Sequence, residues 1–137
     1  MIKVSFPNEV ADEKLKFAVI VARHDGKWVF CQHRERDTYE CPGGHREIGE
    51  AIEQTARREL WEETGAEKFS LQKIGPYEVV DGDKLTYGMF YYAEIESFGK
   101  LPAMEIERIE LMETLPTAWS YPQIQPSLIK RLQEFGI

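Results

Sequence analysis

The sequence predicts an α/β fold in which helices cover a mixed sheet. Three observations carry the prediction: short β-branched and aromatic runs bounded by turn residues, one helical stretch closed by a glycine, and a second helix near the end of the chain. The chain has 137 residues, 42% apolar and 12% aromatic. That is enough for one packed domain spanning residues 1–137, and the composition argues against disorder. No repeat, low-complexity tract or linker interrupts it.

Taken in order, Phe17 to Ala22 is a short apolar run that reads as a buried strand. Asp25-Gly26 and a second run, Trp28 to Cys31, follow it. An Asp-Gly pair between two such runs predicts a type I′ hairpin, whose two central residues need positive φ. Ala51 to Thr64 is helical in composition, and Gly65 ends it as a C′ residue does. Phe69 to Val80 and Lys84 to Ile95 read as strands around Asp81-Gly82-Asp83. Ile106 to Met112, an ambiguous segment, is read as a strand. Pro122 and Pro126 punctuate the approach to a closing helix that starts at Ile124 or Ser127 and ends at Phe135.

Asp plus Glu number 24 and Lys plus Arg 17, a formal charge of −7. Such a chain repels polyanions unless cations are locally concentrated, which argues against nucleic acid and anionic membranes as partners. No apolar run approaches the roughly 20 residues that span a bilayer. The N-terminus lacks the apolar segment and cleavage site of a signal peptide. Cys31 and Cys41 form neither a zinc-site spacing nor a disulfide framework; an inert reduced thiol is the favoured reading, with a functional thiol at Cys41, beside Pro42-Gly43-Gly44, as the alternative. A cytoplasmic location is the expectation; whether the protein is a monomer or a homodimer stays open.

The helix breaks its own amphipathic pattern. With Ile52 at zero and about 100° per residue, Ala56 falls near 40° and Leu60 near 80°, an inward stripe. Glu59 at about −20° and Glu63 at about +20° share that side, with Glu62 near −80° and Trp61 near 180°. Carboxylates converging on a partly buried surface repel one another and lose hydration. A divalent cation with oxygen ligands resolves the conflict, and magnesium suits it because it keeps water and phosphate as further ligands. The bland alternative, a solvated glutamate face, has at least even standing on the helix alone.

What precedes the helix changes the balance. Pro42-Gly43-Gly44 lies upstream, and the chain then reads Gly44, five residues, Glu50, seven residues, Arg58-Glu59-Leu60-Trp61-Glu62-Glu63-Thr64-Gly65-Ala66. This resembles the Nudix box, G-x5-E-x7-R-E-U-x-E-E-x-G-U, at every fixed position, with Ala66 where the family prefers a larger aliphatic residue. The resemblance implies the Nudix fold, an α/β/α sandwich with a catalytic loop–helix–loop. It also implies hydrolysis of a nucleoside diphosphate linked to another group, with Mg2+ or, as a substitute, Mn2+.

Carried over position by position, Glu59 and Glu63 are implied metal ligands, Glu62 binds directly or through water, and a carbonyl of Gly43 or Gly44 completes the shell. Glu59 is the first choice for general base and Glu62 the second. Arg58 belongs to the same catalytic set, tying the loop–helix–loop to Glu50 as structural support. The family's further acidic group is expected in Glu105 to Glu110, with Glu105 favoured by position over Glu107 and Glu110. Phosphates need cations, and His33-Arg34-Glu35-Arg36 offers Arg34, with Arg23 as a second candidate.

The expected partner is a small nucleotide. Family members acting on ADP-ribose carry a proline about sixteen residues after the box, where this chain has Gly82; its proline comes earlier, at Pro76. Tyr39 to Gly44 looks more like the nucleoside-triphosphate members, including those acting on oxidised guanine nucleotides. Dinucleoside polyphosphates, RNA 5′ ends and a sensing module without turnover are the alternatives. Phe6, Tyr87, Tyr91, Trp119 and Tyr121 are candidates to stack the base, with Tyr87 and Tyr91 favoured. Alternation along a strand separates the set Tyr87, Met89, Tyr91 from the set Phe90, Tyr92.

Overall fold

A computed structural model describes all residues, Met1–Ile137. The strands are β1 (Ile2–Ser5), β2 (Leu15–His24), β3 (Lys27–His33), β4 (Gly43–His45), β5 (Ala66–Asp81), β6 (Lys84–Phe98) and β7 (Ile106–Met112). The helices are α1 (Ile52–Thr64) and α2 (Gln125–Glu134), with a single 3-10 turn over Asp12–Lys14. Each sequence-derived element is present. The short β1, the Gly-Gly-His strand β4 and the 3-10 turn have no counterpart in the pattern reading.

All seven strands form one sheet in the order β1-β5-β6-β2-β3-β7, with β4 paired to β2. β2 and β6 run parallel, and every other pairing is antiparallel, so the sheet is mixed. Asp25 and Gly26 carry φ of 50° and 77°, the two positive angles the I′ turn demands. α1 ends on Gly65 at φ 75°, whose N–H donates to the Trp61 carbonyl.

The pleat sorts the core into two layers. Ala18, Ile20 and Ala22 of β2 and Met89, Tyr91, Ala93 and Ile95 of β6 pack with Ala56 and Leu60 of α1. The alternate residues Val19, Val21, Phe90 and Tyr92 pack with Leu128, Ile129 and Leu132 of α2. A central strand buried on both faces reads as a continuous apolar run for this reason. The result is an α/β/α sandwich.

The feature that positions the site is a change of partner along β2. Near the hairpin, β2 pairs with β3 through Ala22 to His24; toward its start, β4 takes over, with Gly44 opposite Ala18 and Gly43 opposite Val19. This brings Gly43 and Gly44 beneath the carboxylate side of α1.

Leu60 is fully buried while its neighbour Trp61 is 48% exposed. Leu60→Ala is expected to cost about 2–5 kcal/mol of unfolding free energy through lost burial and a residual cavity. Trp61→Ala is expected to cost far less, and urea titration of the two variants separates them.

Candidate active site

α1 delivers Glu59, Glu62 and Glu63 to one end of the α1 face of the sheet, and β4 meets them there. A Cβ added to Gly44 would lie 2.5 Å from Glu59 Cδ and 2.7 Å from its Oε1, so a side chain here would fill the space the carboxylate occupies. One added to Gly43 would lie 2.5 Å from the Ala18 carbonyl oxygen. The Gly43 N–H donates to Glu63 Oε1 at 2.8 Å. Both glycines serve close approach rather than unusual dihedrals.

Arg58 organises the near side of the cluster. Its Nε and Nη2 donate to the two Glu50 oxygens at 2.6 and 3.0 Å, and Nη2 also reaches the His45 carbonyl at 2.9 Å. Its Nη1 donates to Glu59 Oε1 at 2.7 Å and to both Glu62 oxygens at 3.3 Å. Glu50 further accepts the Glu47 N–H and the Thr55 hydroxyl. Loop and helix are thereby tied by one bidentate, charge-assisted pair.

One guanidinium does not neutralise this many acids. Burial pushes the Glu59 carboxyl up to about 7, with Arg58 opposing and Glu62 adding to the rise. Burial also pushes Glu63 up to about 8, against the Gly43 N–H, with repulsion from Glu59, Glu40 and Glu105. Glu50 moves the other way, down to about 2, chiefly through its bonds to Arg58.

No three acidic, histidine or cysteine side chains converge into a ready-made metal cage; Arg58 engages one Glu59 oxygen and both Glu62 oxygens. The donors nonetheless suit a hard divalent ion: they are carboxylate oxygens in excess of local cations, held in a cradle that a Cβ would fill.

Glu105, mostly exposed, lies 3.7 Å from His33 Nε2, and its charge is felt at both Glu59 and Glu63. Glu107 pairs with Arg34 and Glu110 with Arg108, each at 3.0 Å.

The expected substrate-binding residues lie in different parts of the fold. Arg23 is stacked on Trp28 at 4.1 Å and near Tyr92 at 5.7 Å, on the α2 side at the β2–β3 hairpin. Tyr91 is 2% exposed in the α1-side core, and Tyr87 packs against that core, because odd-numbered β6 residues there face the covering helix. Arg34 lies near Glu105 but is engaged by the Met104 carbonyl and Glu107. Trp119 stands edge-on to Phe30, and Phe6 packs on the α2-side core. Tyr121 remains at the rim, 40% exposed.

The sequence reading missed Glu40. It is 8% exposed, joined to Arg36 at 3.1 Å, and its charge acts on Glu63 and on Cys31. An acid placed directly before Cys41-Pro42-Gly43-Gly44 was the available signal. Both cysteines are free and buried. The Cys31 thiol donates to the Glu63 carbonyl at 3.4 Å.

With these features in place the class follows: the chain belongs to the Nudix family, and the NUDIX domain model matches residues 13–126. Its relatives include the Bacillus subtilis (strain 168) protein YtkD, provisionally named an 8-oxo-dGTP diphosphatase. They are 36% identical over 99 residues, 72% of this chain and 62% of the relative. The 8-oxo-dGTP diphosphatase of Escherichia coli (strain K12) is 38% identical over 76 residues, 50% of this chain and 59% of that one. In both cases the match spans about three fifths of the relative's length. A crystal structure of a mutant of the Bacillus subtilis pyrophosphohydrolase BsRppH superimposes with a TM-score of 0.83 at 31% identity, covering 98% of this chain and 91% of that one.

Glu50 supplies a pH test. Its carboxyl lies at about 2 in the folded protein against 4.5 ordinarily. The stabilisation it gives is therefore fully present above pH 4.5 and is lost as pH falls through about 2. Glu50→Gln is expected to melt below the parent at pH 7, with the gap shrinking by pH 2.5 in calorimetry.

Proposed function

We propose that this chain is a divalent-metal-dependent pyrophosphohydrolase that converts a nucleoside triphosphate, ordinary or oxidised, into the monophosphate and pyrophosphate. The observation that carries the reading is the surplus of carboxylate at buried Glu59 and half-buried Glu63 against the Gly43-Gly44 backbone. The full Nudix box and the names of the relatives support it. A cytoplasmic setting, where both thiols stay reduced, belongs to the same reading.

Glu59, Glu62 and Glu63, with a carbonyl of Gly43 or Gly44 and with Glu105, would hold the metal, Mg2+ in the first instance. When bound, the ion neutralises phosphate charge and acidifies water. The chain's own residues do the rest. Glu59, held by Arg58, accepts the proton of the water that adds across the P–O–P anhydride, with Glu62 as the second choice. Arg58 keeps the Glu59 carboxylate facing its task, and Glu50 keeps Arg58 in place. Phosphoryl chemistry asks for positioning and electrostatics more than for covalent participation.

A second reading, removal of pyrophosphate from RNA 5′ ends, draws on the likeness to BsRppH across nearly the whole chain. The formal charge of −7 weighs against RNA. A sensing module without turnover fits less well, because every box glutamate is kept.

A panel of ordinary and oxidised triphosphates, nucleotide sugars, dinucleoside polyphosphates and 5′-triphosphorylated RNA, assayed with Mg2+ and Mn2+, separates these readings. Monophosphate plus pyrophosphate from a free nucleotide is the expected product pair. Glu59→Gln is expected to cut turnover by orders of magnitude with little change in melting temperature; near-parental turnover removes Glu59 from the base role. Addition of Mg2+ is expected to raise the melting temperature over an EDTA control by relieving carboxylate repulsion. Glu63→Gln is expected to reduce that increment.

A further inference from the structure

Three arginines border the acidic cluster, and they differ in how much of each guanidinium is already engaged. Arg58 uses Nε, Nη1 and Nη2. Arg34 uses Nε on the Met104 carbonyl at 2.7 Å and Nη1 on Glu107 at 3.0 Å. Arg36 uses Nη1 alone, on Glu40 Oε1 at 3.1 Å and the Tyr121 hydroxyl at 3.3 Å. Its Nε and Nη2 bond to no other group of the protein. Those two nitrogens share one edge of the guanidinium, the fork that matches two oxygens of a phosphate.

The edge is presented from a built position. Glu40, which anchors Arg36, is backbone-paired with Cys31 at 2.8 and 3.0 Å. Directly paired residues project to the same face, and the Cys31 thiol reaches the Glu63 carbonyl. Glu40 therefore stands over the C-terminal end of α1 beside Glu63, and Arg36 stands at the margin of the acidic cluster. Tyr121 is fixed by a lacing of loops: Tyr39 N–H to the Ala118 carbonyl and Ser120 N–H to the Tyr39 carbonyl, both at 2.8 Å. Thr38 and Ser120 hydroxyls add a bond at 2.7 Å. The Arg36 side chain is 43% exposed, open to an incoming ligand.

We propose that Arg36 binds a phosphate of the polyphosphate chain through Nε and Nη2, and that Glu40 is the residue that positions it. The inference rests on the pyrophosphohydrolase reading and adds a recognition group that the box itself does not contain. A charge-assisted phosphate contact of about 1.5–3 kcal/mol corresponds to a roughly 10- to 150-fold change in affinity.

The test is calorimetric titration of the full chain, with Mg2+, using two probes: an α,β-methylene nucleoside triphosphate and inorganic tripolyphosphate. Arg36→Ala is expected to weaken both probes by a similar factor of about 10 to 100. Arg36→Lys, keeping charge but not the fork, is expected to fall between. Glu40→Gln is expected to weaken both by several-fold, and in turnover assays the losses fall on KM more than kcat. Arg36→Ala binding tripolyphosphate within twofold of the parent overturns the proposal, as does a loss confined to the nucleotide probe. If Arg36→Ala melts markedly lower, the Arg36→Lys comparison decides, since parental affinity there excludes a fork contact. A parent chain that binds neither probe and hydrolyses nothing in the panel instead defeats the pyrophosphohydrolase reading.

Discussion

The structure turns on a single guanidinium set among carboxylates. Arg58 touches Glu50, Glu59, Glu62 and the His45 carbonyl, so loop, helix and strand β4 all converge on it. Its pairing with Glu50 is structural: Glu50 is drawn well below the usual carboxylate range by that contact. What remains for Glu59 and Glu62 is one shared Nη1, and for Glu63 only the backbone N–H of Gly43. Buried acids left this short of cations are costly to ionise.

That arrangement depends on the sheet beneath it. β2 is the strand on which both helices rest, buried on both faces, and it exchanges β3 for β4 along its length. The exchange lets the chain leave β3, form the loop over residues 34–42, and return as Gly43-Gly44 directly against α1. Without the glycines, a Cβ would strike Glu59 on one side and the β2 backbone on the other. The geometry of the acidic cluster follows from strand pairing at least as much as from the helix that carries the acids.

The rim is assembled separately from the floor. Loop 34–42 and the loop after β7 bond to each other through Tyr39, Ala118 and Ser120, with Phe30 and Trp119 packed edge to face below. These contacts bring Arg36, Glu40 and Tyr121 into one group beside the cluster. Groups that meet a ligand at a rim are best held by neighbours that do not themselves react, and the two loops supply that support here.

Local pattern determined much of this protein by itself. The Asp25-Gly26 hairpin, α1 with its Gly65 stop, the β5–β6 pair and α2 are properties of neighbouring residues. The wheel that put Glu59 and Glu63 on the inward side of α1 needed only helical geometry. The family, too, was legible in the fixed spacing from Gly44 to Ala66. Tertiary structure decided the rest, because it depends on pairings between distant segments. β4 has three residues with no strand character of their own and exists because β2 offers an edge. Tyr91 looked available along its strand, yet the sheet face it occupies lies under α1. Arg23 was drawn to Trp28 and Tyr92 across the hairpin, away from the acids. Glu40 was marked only by its place before Cys41-Pro42-Gly43-Gly44, and its pairing with Cys31 set it beside Glu63. Sequence periodicity reports which face a residue takes; what covers that face is settled by segments far along the chain.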